Sequence, residues 1–100
     1  MMLLSDWLDQ HTRQAPTALR ARVTEFALAA SGDTRASTLA AAGQAALETV
    51  LAHSGDRSTA LNLLAADALI TLALQAQAQD APDRLEEFAT LVLRAGREDA

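Results

Sequence analysis

Two short stretches of the chain carry acidic and histidine side chains at spacings that suit metal binding. The first combines Asp6, Asp9 and His11, which offer oxygen and nitrogen ligands. The second offers four carboxylates to a hard cation, those of Asp80, Asp83, Glu86 and Glu87. Both stretches lie at predicted helix starts, where acidic residues are expected without any metal. We therefore predict no metal site and no other cofactor.

Groups that could act as a nucleophile or a general base are sparse. Lys, Cys and Tyr are absent, and the two histidines are far apart in the sequence. His11 lies on the apolar face of the first predicted helix, which is typical of a packing group, and His53 lies at a helix end, where a partly protonated imidazole favours the helix dipole. The phosphate-loop, nucleophile-elbow and zincin motifs do not occur. The sequence therefore predicts no catalytic residue and favours a non-enzymatic protein.

The composition predicts helices throughout. Half of the 100 residues are hydrophobic, most of them alanine or leucine, and only Trp7, Phe26 and Phe88 are aromatic. Alanine and leucine are strong helix formers, whereas strands favour β-branched and aromatic residues. A chain of this length suits one domain over residues 1–100. The predicted fold class is all-α, a compact antiparallel bundle of four main helices plus a short N-terminal helix.

Charge and hydropathy limit the possible partners. The net charge is −5 and all eight basic residues are arginines, so binding to nucleic acid or to an anionic membrane is not expected. The N-terminus lacks the basic region of a signal peptide. The most apolar segment, Ala60 to Leu74, is too short for a membrane span and is interrupted by Asn62 and Asp67. We predict a cytoplasmic protein.

Periodicity and turn residues divide the chain into five helices, over residues 1–14, 16–30, 33–53, 57–79 and 80–96. Gly32 is expected as a left-handed cap that ends the second helix. Asp33, or alternatively Ser37, is expected to cap the third helix, and Asp56 the fourth. The apolar stripe of the third helix is rich in small residues, which predicts a close approach by another helix. It consists of Leu39, Ala42, Gly43, Ala46, Leu47, Val50 and Leu51.

The fourth predicted helix, residues 57–79, has two apolar sides separated by a narrow polar seam. The seam consists of Asp67, Thr71 and Gln75, spaced at i, i+4 and i+8. One apolar side carries Leu61, Leu64, Ala65, Ala68, Leu69 and Leu72. The other side carries Leu63, Ala66, Ile70, Ala73 and Leu74. An ordinary surface helix has one apolar stripe and a wide polar face.

Two explanations of this pattern are open. The helix is central in the monomer, or it packs on its own subunit with one side and on a second subunit with the other. We favour the second explanation, because a thin alanine-rich core does not easily enclose a whole helix and a helix paired across a two-fold axis is a simple route to a dimer. The predicted interface is the second side, Leu63, Ala66, Ile70, Ala73 and Leu74.

Asp67 is the single charge in the middle of this helix. The favoured interpretation is a seam residue that reaches water or pairs with an arginine, for which Arg20, Arg22 and Arg94 are the candidates. The alternative is a functional acid that faces a ligand in a groove. An unpartnered buried carboxylate there would be costly.

The run from Leu64 to Ala73, LAADALITLA, resembles a helix of trans-isoprenyl diphosphate synthases, in which an L-A-G-D-A-L-L-T-x-A run is common. That family binds magnesium diphosphate through two Asp-rich motifs of the form DDxxD. This chain has no Asp-Asp pair and is far shorter than that fold. The resemblance covers a tenth of the chain and implies a buried helix in an all-α bundle, with no catalytic activity.

The functional prediction is a small protein-interaction or homodimerisation module that uses the helix 57–79, with a second copy or another protein as its partner. The alternative is a carrier or sensor that binds an apolar small ligand in an alanine-lined core near Trp7, Phe26 and Phe88. A minimal enzyme or metal protein that uses His11 or an acidic cluster is the third hypothesis.

Overall fold

The chain folds entirely into helices over the part that the structure describes. The computed structural model describes the backbone of residues 2–53 and 55–98 and the side chains of residues 2–53 and 55–96. The helices are α1 (Leu4–His11), α2 (Thr17–Ala29), α3 (Arg35–Ala52), α4 (Arg57–Asp80) and α5 (Leu85–Glu98). The last helix begins later than predicted because Pro82–Arg84 forms a 3₁₀ turn. No strand occurs in the described ranges, and the all-α prediction is confirmed.

Side-chain caps fix the starts of the two longest helices. Thr34 Oγ1 accepts a hydrogen bond from the Ser37 N–H at 3.0 Å, and Ser37 Oγ accepts one from the Thr34 N–H at 2.9 Å. The predictions of Asp33 or Ser37 as the N-cap are therefore wrong, because Thr34 makes this reciprocal pair. Asp56 caps α4 as predicted, since its carboxylate accepts from the Thr59 N–H at 2.8 Å.

Gly32 has a different role from the predicted left-handed cap. No described glycine has a positive φ, and α2 ends with Ala30 in an extended conformation. A Cβ atom on Gly32 would lie 2.5 Å from Ser37 Oγ and 2.6 Å from the backbone N of Thr38. Glycine is therefore required here because the α2–α3 connection passes directly over the first turn of α3.

The core is built around α3 and α4. These two helices share the most extensive packing in the molecule and lie antiparallel, since residues 53–56 alone connect them. Helix α2 packs on both of them. The largest fully buried side chains are Leu8, Val23, Leu39 and Leu69. The radius of gyration of 13.0 Å equals that of a compact globule of about 100 residues.

Helix α4 is long and apolar enough to cross a membrane, by length and composition alone. In this fold, 39% of the most apolar 18-residue stretch of α4 is buried. A core helix of a globular protein meets the same criterion, so a single helix of this kind says little about location. The cytoplasmic location stays a prediction.

Candidate partner-binding groove

Small residues bring α3 and α4 close together. Their facing sides bury alanines from both helices, among them Ala42 and Ala46 of α3 and Ala65 of α4. At Gly43 the two helices are in close contact: a Cβ atom there would lie 2.7 Å from Cδ1 and 3.0 Å from Cγ1 of Ile70. The predicted close approach at Gly43 is confirmed.

An open groove of about 270 Å³ lies between the outer edges of these two helices. It is lined by Gly43, Gln44 and Leu47 of α3 and by Leu63, Ala66, Asp67 and Ile70 of α4. Five of these seven residues are apolar, and the other two, Gln44 and Asp67, supply one amide and one carboxylate. We call this feature the α3–α4 groove.

The structure divides the five predicted interface residues into two groups. Leu63 is 52% exposed, and Ile70 and Leu74 are half-buried, so these three present apolar surface beside α3. Ala66 is buried and forms part of the groove floor. Ala73 has no exposed surface because it packs in the chain's own core. An interface on this edge of α4 would therefore use Leu63, Ile70 and Leu74.

The polar seam lies on the outside of the molecule. Asp67, Thr71 and Gln75 are all exposed, and the Thr71 hydroxyl donates to the Asp67 carbonyl oxygen at 3.0 Å. Within the described chain, α4 buries one continuous face, made of Asn62, Ala65, Ala66, Leu69, Leu72, Ala73 and Ala76. This face takes residues from both predicted apolar sides, and Leu64, from the first predicted side, is exposed.

None of the arginines considered for Asp67 pairs with it in the described part of the chain. Arg20 lies 3.9 Å from Asp9. Arg22 lies 3.6 Å from Glu25 and also donates to Asn62. Because the carboxylate of Asp67 is exposed, it is hydrated by water and requires no cation.

Two residues of this region were missed by the sequence reasoning. Leu51, at the end of α3, is 66% exposed although it belongs to the predicted apolar stripe. Gln44 has a buried Oε1 atom with no hydrogen-bond partner, and its Nε2 lies 3.9 Å from where a Cβ on Gly96 would be. The periodicity of a helix does not show which part of its apolar stripe a neighbouring helix leaves uncovered. Neither the exposure of Leu51 nor the unpaired Oε1 of Gln44 could therefore be predicted from the sequence.

The residues considered for metal or ligand binding do not converge. Among the described residues, no three His, Asp or Glu side chains form a group that could hold a metal ion. Trp7 stacks on His11 with ring centroids 3.8 Å apart. Phe26 and Phe88 line two separate clefts of about 310 and 300 Å³, each bordered by charged side chains. The three aromatic residues therefore do not enclose one apolar chamber.

Comparisons with models of protein families, with curated proteins and with solved structures found no match for this chain. The function must therefore be argued from the chain's own geometry.

Proposed function

We propose that this chain is a protein-interaction module that forms a homodimer through the α3–α4 groove and the leucines beside it. The supporting observation is that Leu63, which is 52% exposed, lines the groove together with Leu47, and that Leu51, one turn beyond Leu47 on α3, is 66% exposed. Ile70 of α4 extends the apolar lining of the groove. Contiguous exposed apolar surface of this kind marks interaction sites in folded proteins.

Helix α5 covers one end of this face. Phe88 and Leu91 lie beside Ala36 of α3 and Gln77 of α4. The part left open holds Leu47, Leu51 and Leu63, and a second copy of the chain would supply the same apolar residues to it.

A two-fold axis would place the same apolar surface opposite itself. Two α3–α4 pairs would then form a four-helix arrangement whose new core contains Leu63 and Ile70 from both copies. The exposed Asp67 would lie at the rim, where a carboxylate remains hydrated.

Sedimentation velocity at micromolar concentration tests the proposal. The wild-type chain is expected to sediment as a dimer, and Leu63→Glu as a monomer, because the substitution places a charge in the new core. Leu28→Glu is the matched control: Leu28 is 60% exposed on α2, and no residue of α2 lines the groove. This variant is expected to remain dimeric.

A wild-type monomer at these concentrations would contradict the proposal, as would dissociation of Leu28→Glu to the same extent as Leu63→Glu. Circular dichroism of both variants is needed to show that each retains the helix content of the wild type.

A further inference from the structure

Helix α5 is only partly covered by the rest of the chain. None of its side chains that the structure describes is fully buried. Its apolar side is half-buried and consists of Leu85, Phe88, Ala89, Val92 and Ala95. By contrast, the eight-residue α1 buries Trp7 and Leu8, and Trp7 Nε1 donates a hydrogen bond to Gln79 Oε1 of α4 at 3.1 Å. The longer helix is therefore the less firmly anchored of the two.

Apolar contacts alone hold α5 to α3 and α4 in the described part of the chain. Its ion pair is local, since Glu87 lies 3.3 Å from Arg84, one turn earlier. The Thr90 hydroxyl donates to the Glu86 carbonyl oxygen within the helix. An open cleft of about 300 Å³ lies between α5 and the ends of α3 and α4. Because segments with few buried apolar contacts open at a lower free energy than the core, we expect α5 to undock while α3 and α4 stay folded.

The seat of α5 and the α3–α4 groove lie on one face of the helix pair. On α3, Ala36 lies beside α5, and Leu47, three turns later, lines the groove. On α4, Leu63 and Ile70 line the groove, and Gln77 lies beside α5. Residues at intervals of seven or eleven share one side of a helix. The groove is therefore the uncovered continuation of the seat of α5.

Helix α5 ends where the groove begins. Near its C-terminal end, a Cβ atom on Gly96 would lie 3.9 Å from Nε2 of Gln44, and Gln44 also lines the groove. A second copy lying along the whole face would occupy the space that α5 fills. Docking of α5 and binding of a second copy to that half of the face therefore exclude each other.

We infer that α5 is a displaceable cap that limits the homodimer, an inference that rests on the homodimer proposed above. With α5 docked, a second copy reaches only the open half of the face. With α5 undocked, the half that includes Ala36, now buried beside α5, becomes available as well. Because only the undocked chain offers the whole face, docking of α5 weakens dimerisation and dimerisation favours undocking.

Phe88→Ala tests the cap. It removes the largest side chain that holds α5 and keeps a strong helix former, and Phe88 does not line the groove. Hydrogen exchange below the Kd should show α5 amides protected at least about 100-fold less than those of α3 and α4 in the wild type. The variant should lower the protection of α5 further and leave α3 and α4 unchanged. The Kd of its dimer, from sedimentation equilibrium, should fall at least about three-fold, since more chains are competent to bind.

Two further variants of α5 serve as controls. Leu93→Ala should change neither the protection of α5 nor the Kd, because Leu93 is 63% exposed and lies off the apolar side. Gly96→Ala should act in the direction opposite to Phe88→Ala. Alanine favours a helix more than glycine does, and its Cβ would meet Gln44 at an ordinary contact distance. The protection of α5 and the Kd should therefore both rise.

Equal protection of α5 and of α3 and α4 would overturn the cap, because α5 would then open only when the core unfolds. So would an unchanged or higher Kd in Phe88→Ala, in a protein whose dimer Leu63→Glu dissociates; the proposed homodimer would stand in that case. If the wild type and Phe88→Ala both stay monomeric, the homodimer itself is wrong and the cap falls with it.

Discussion

Gly43 allows the side chain of Ile70 on α4 to pack directly against the backbone of α3. Its hydrogen atom occupies the position where any other residue would place a Cβ atom against Ile70. We expect Gly43→Leu to lower the free energy of unfolding by about 1–3 kcal/mol, because the new side chain forces apart a packed pair of helices. Urea denaturation followed by circular dichroism measures the change.

Gly55→Leu is the control for this substitution, because a Cβ at Gly55 would meet no atom within 4 Å. Its effect should stay within about 0.5 kcal/mol, as for other exposed positions. Equal effects of the two substitutions would show that the contact of Gly43 with Ile70 does not limit the helix spacing. Adding Ile70→Ala to Gly43→Leu should recover part of the lost stability.

The contribution of the Asp56 cap to the stability of the fold depends on pH. Hydrogen bonds from the backbone N–H and the hydroxyl of Thr59 lower the pKa of Asp56 from its ordinary value of 3.8. A carboxyl whose pKa is lower in the folded state stabilises the fold at pH values above its unfolded pKa, and this contribution is lost as the pH falls through the folded value.

Asp56→Asn should remove this pH dependence, because asparagine caps helices well and does not titrate. The Tm of the variant relative to the wild type is expected to be constant between pH 7 and about pH 5 and to rise below about pH 4. Calorimetry at pH 7 and pH 3 gives the comparison. Parallel pH profiles of the two proteins would show that the cap does not contribute to acid sensitivity.

At the scale of the elements, α4 buries one face and leaves the other open. Leu69 is fully buried, whereas Leu64, on the same predicted apolar side, is 57% exposed. Leu69→Ala should cost about 2–5 kcal/mol, because it leaves a cavity in the core. Leu64→Ala should cost less than about 1 kcal/mol in the monomer.

Both variants are measured by thermal unfolding at low protein concentration, so that association contributes little. A cost for Leu64→Ala that approaches that of Leu69→Ala would mean that α4 is enclosed on both sides within one chain. That result would favour the explanation in which the helix is central in the monomer.

The number and type of helices were predictable because local signals define them. Alanine and leucine fill the elements, and Asp56 caps α4 as its sequence context predicts. The cap of α3 was less predictable, because Asp33 and Thr34 are adjacent and both suit an N-cap. Only the reciprocal pair that Thr34 forms with Ser37 decides between them.

The buried face of α4 could not be predicted from the sequence. Leucine and alanine occur on all sides of this helix, so its periodicity does not predict whether Leu64 or Leu69 is the more buried. The packing of α2 and α3 against α4 determines which of the two is buried. The same limit applies to the α3–α4 groove, because the exposure of Leu51 depends on where neighbouring helices end.

At the scale of the whole molecule, the net charge of −5 opposes self-association. Two copies repel each other at long range, and salt screens this repulsion, whereas the apolar contacts of the proposed interface are not weakened by it. Raising the salt concentration from about 0.05 M to about 0.5 M should therefore lower the Kd of the dimer. Sedimentation equilibrium at both concentrations measures the effect, with Leu63→Glu as the monomeric reference. A Kd that rises with salt would mean that ion pairs between subunits hold the dimer.

The hydrogen bond between Trp7 and Gln79 joins residues that are 72 positions apart. Closing so long a loop costs more chain entropy than forming the α3–α4 pair, whose helices follow each other directly. We therefore expect the α3–α4 pair to form earlier during folding and α1 to dock later. Since Trp7 is the only tryptophan, its fluorescence reports this late docking step, and circular dichroism reports the helices that precede it. The difference between the two signals in a stopped-flow experiment measures the time that α1 needs to reach its place.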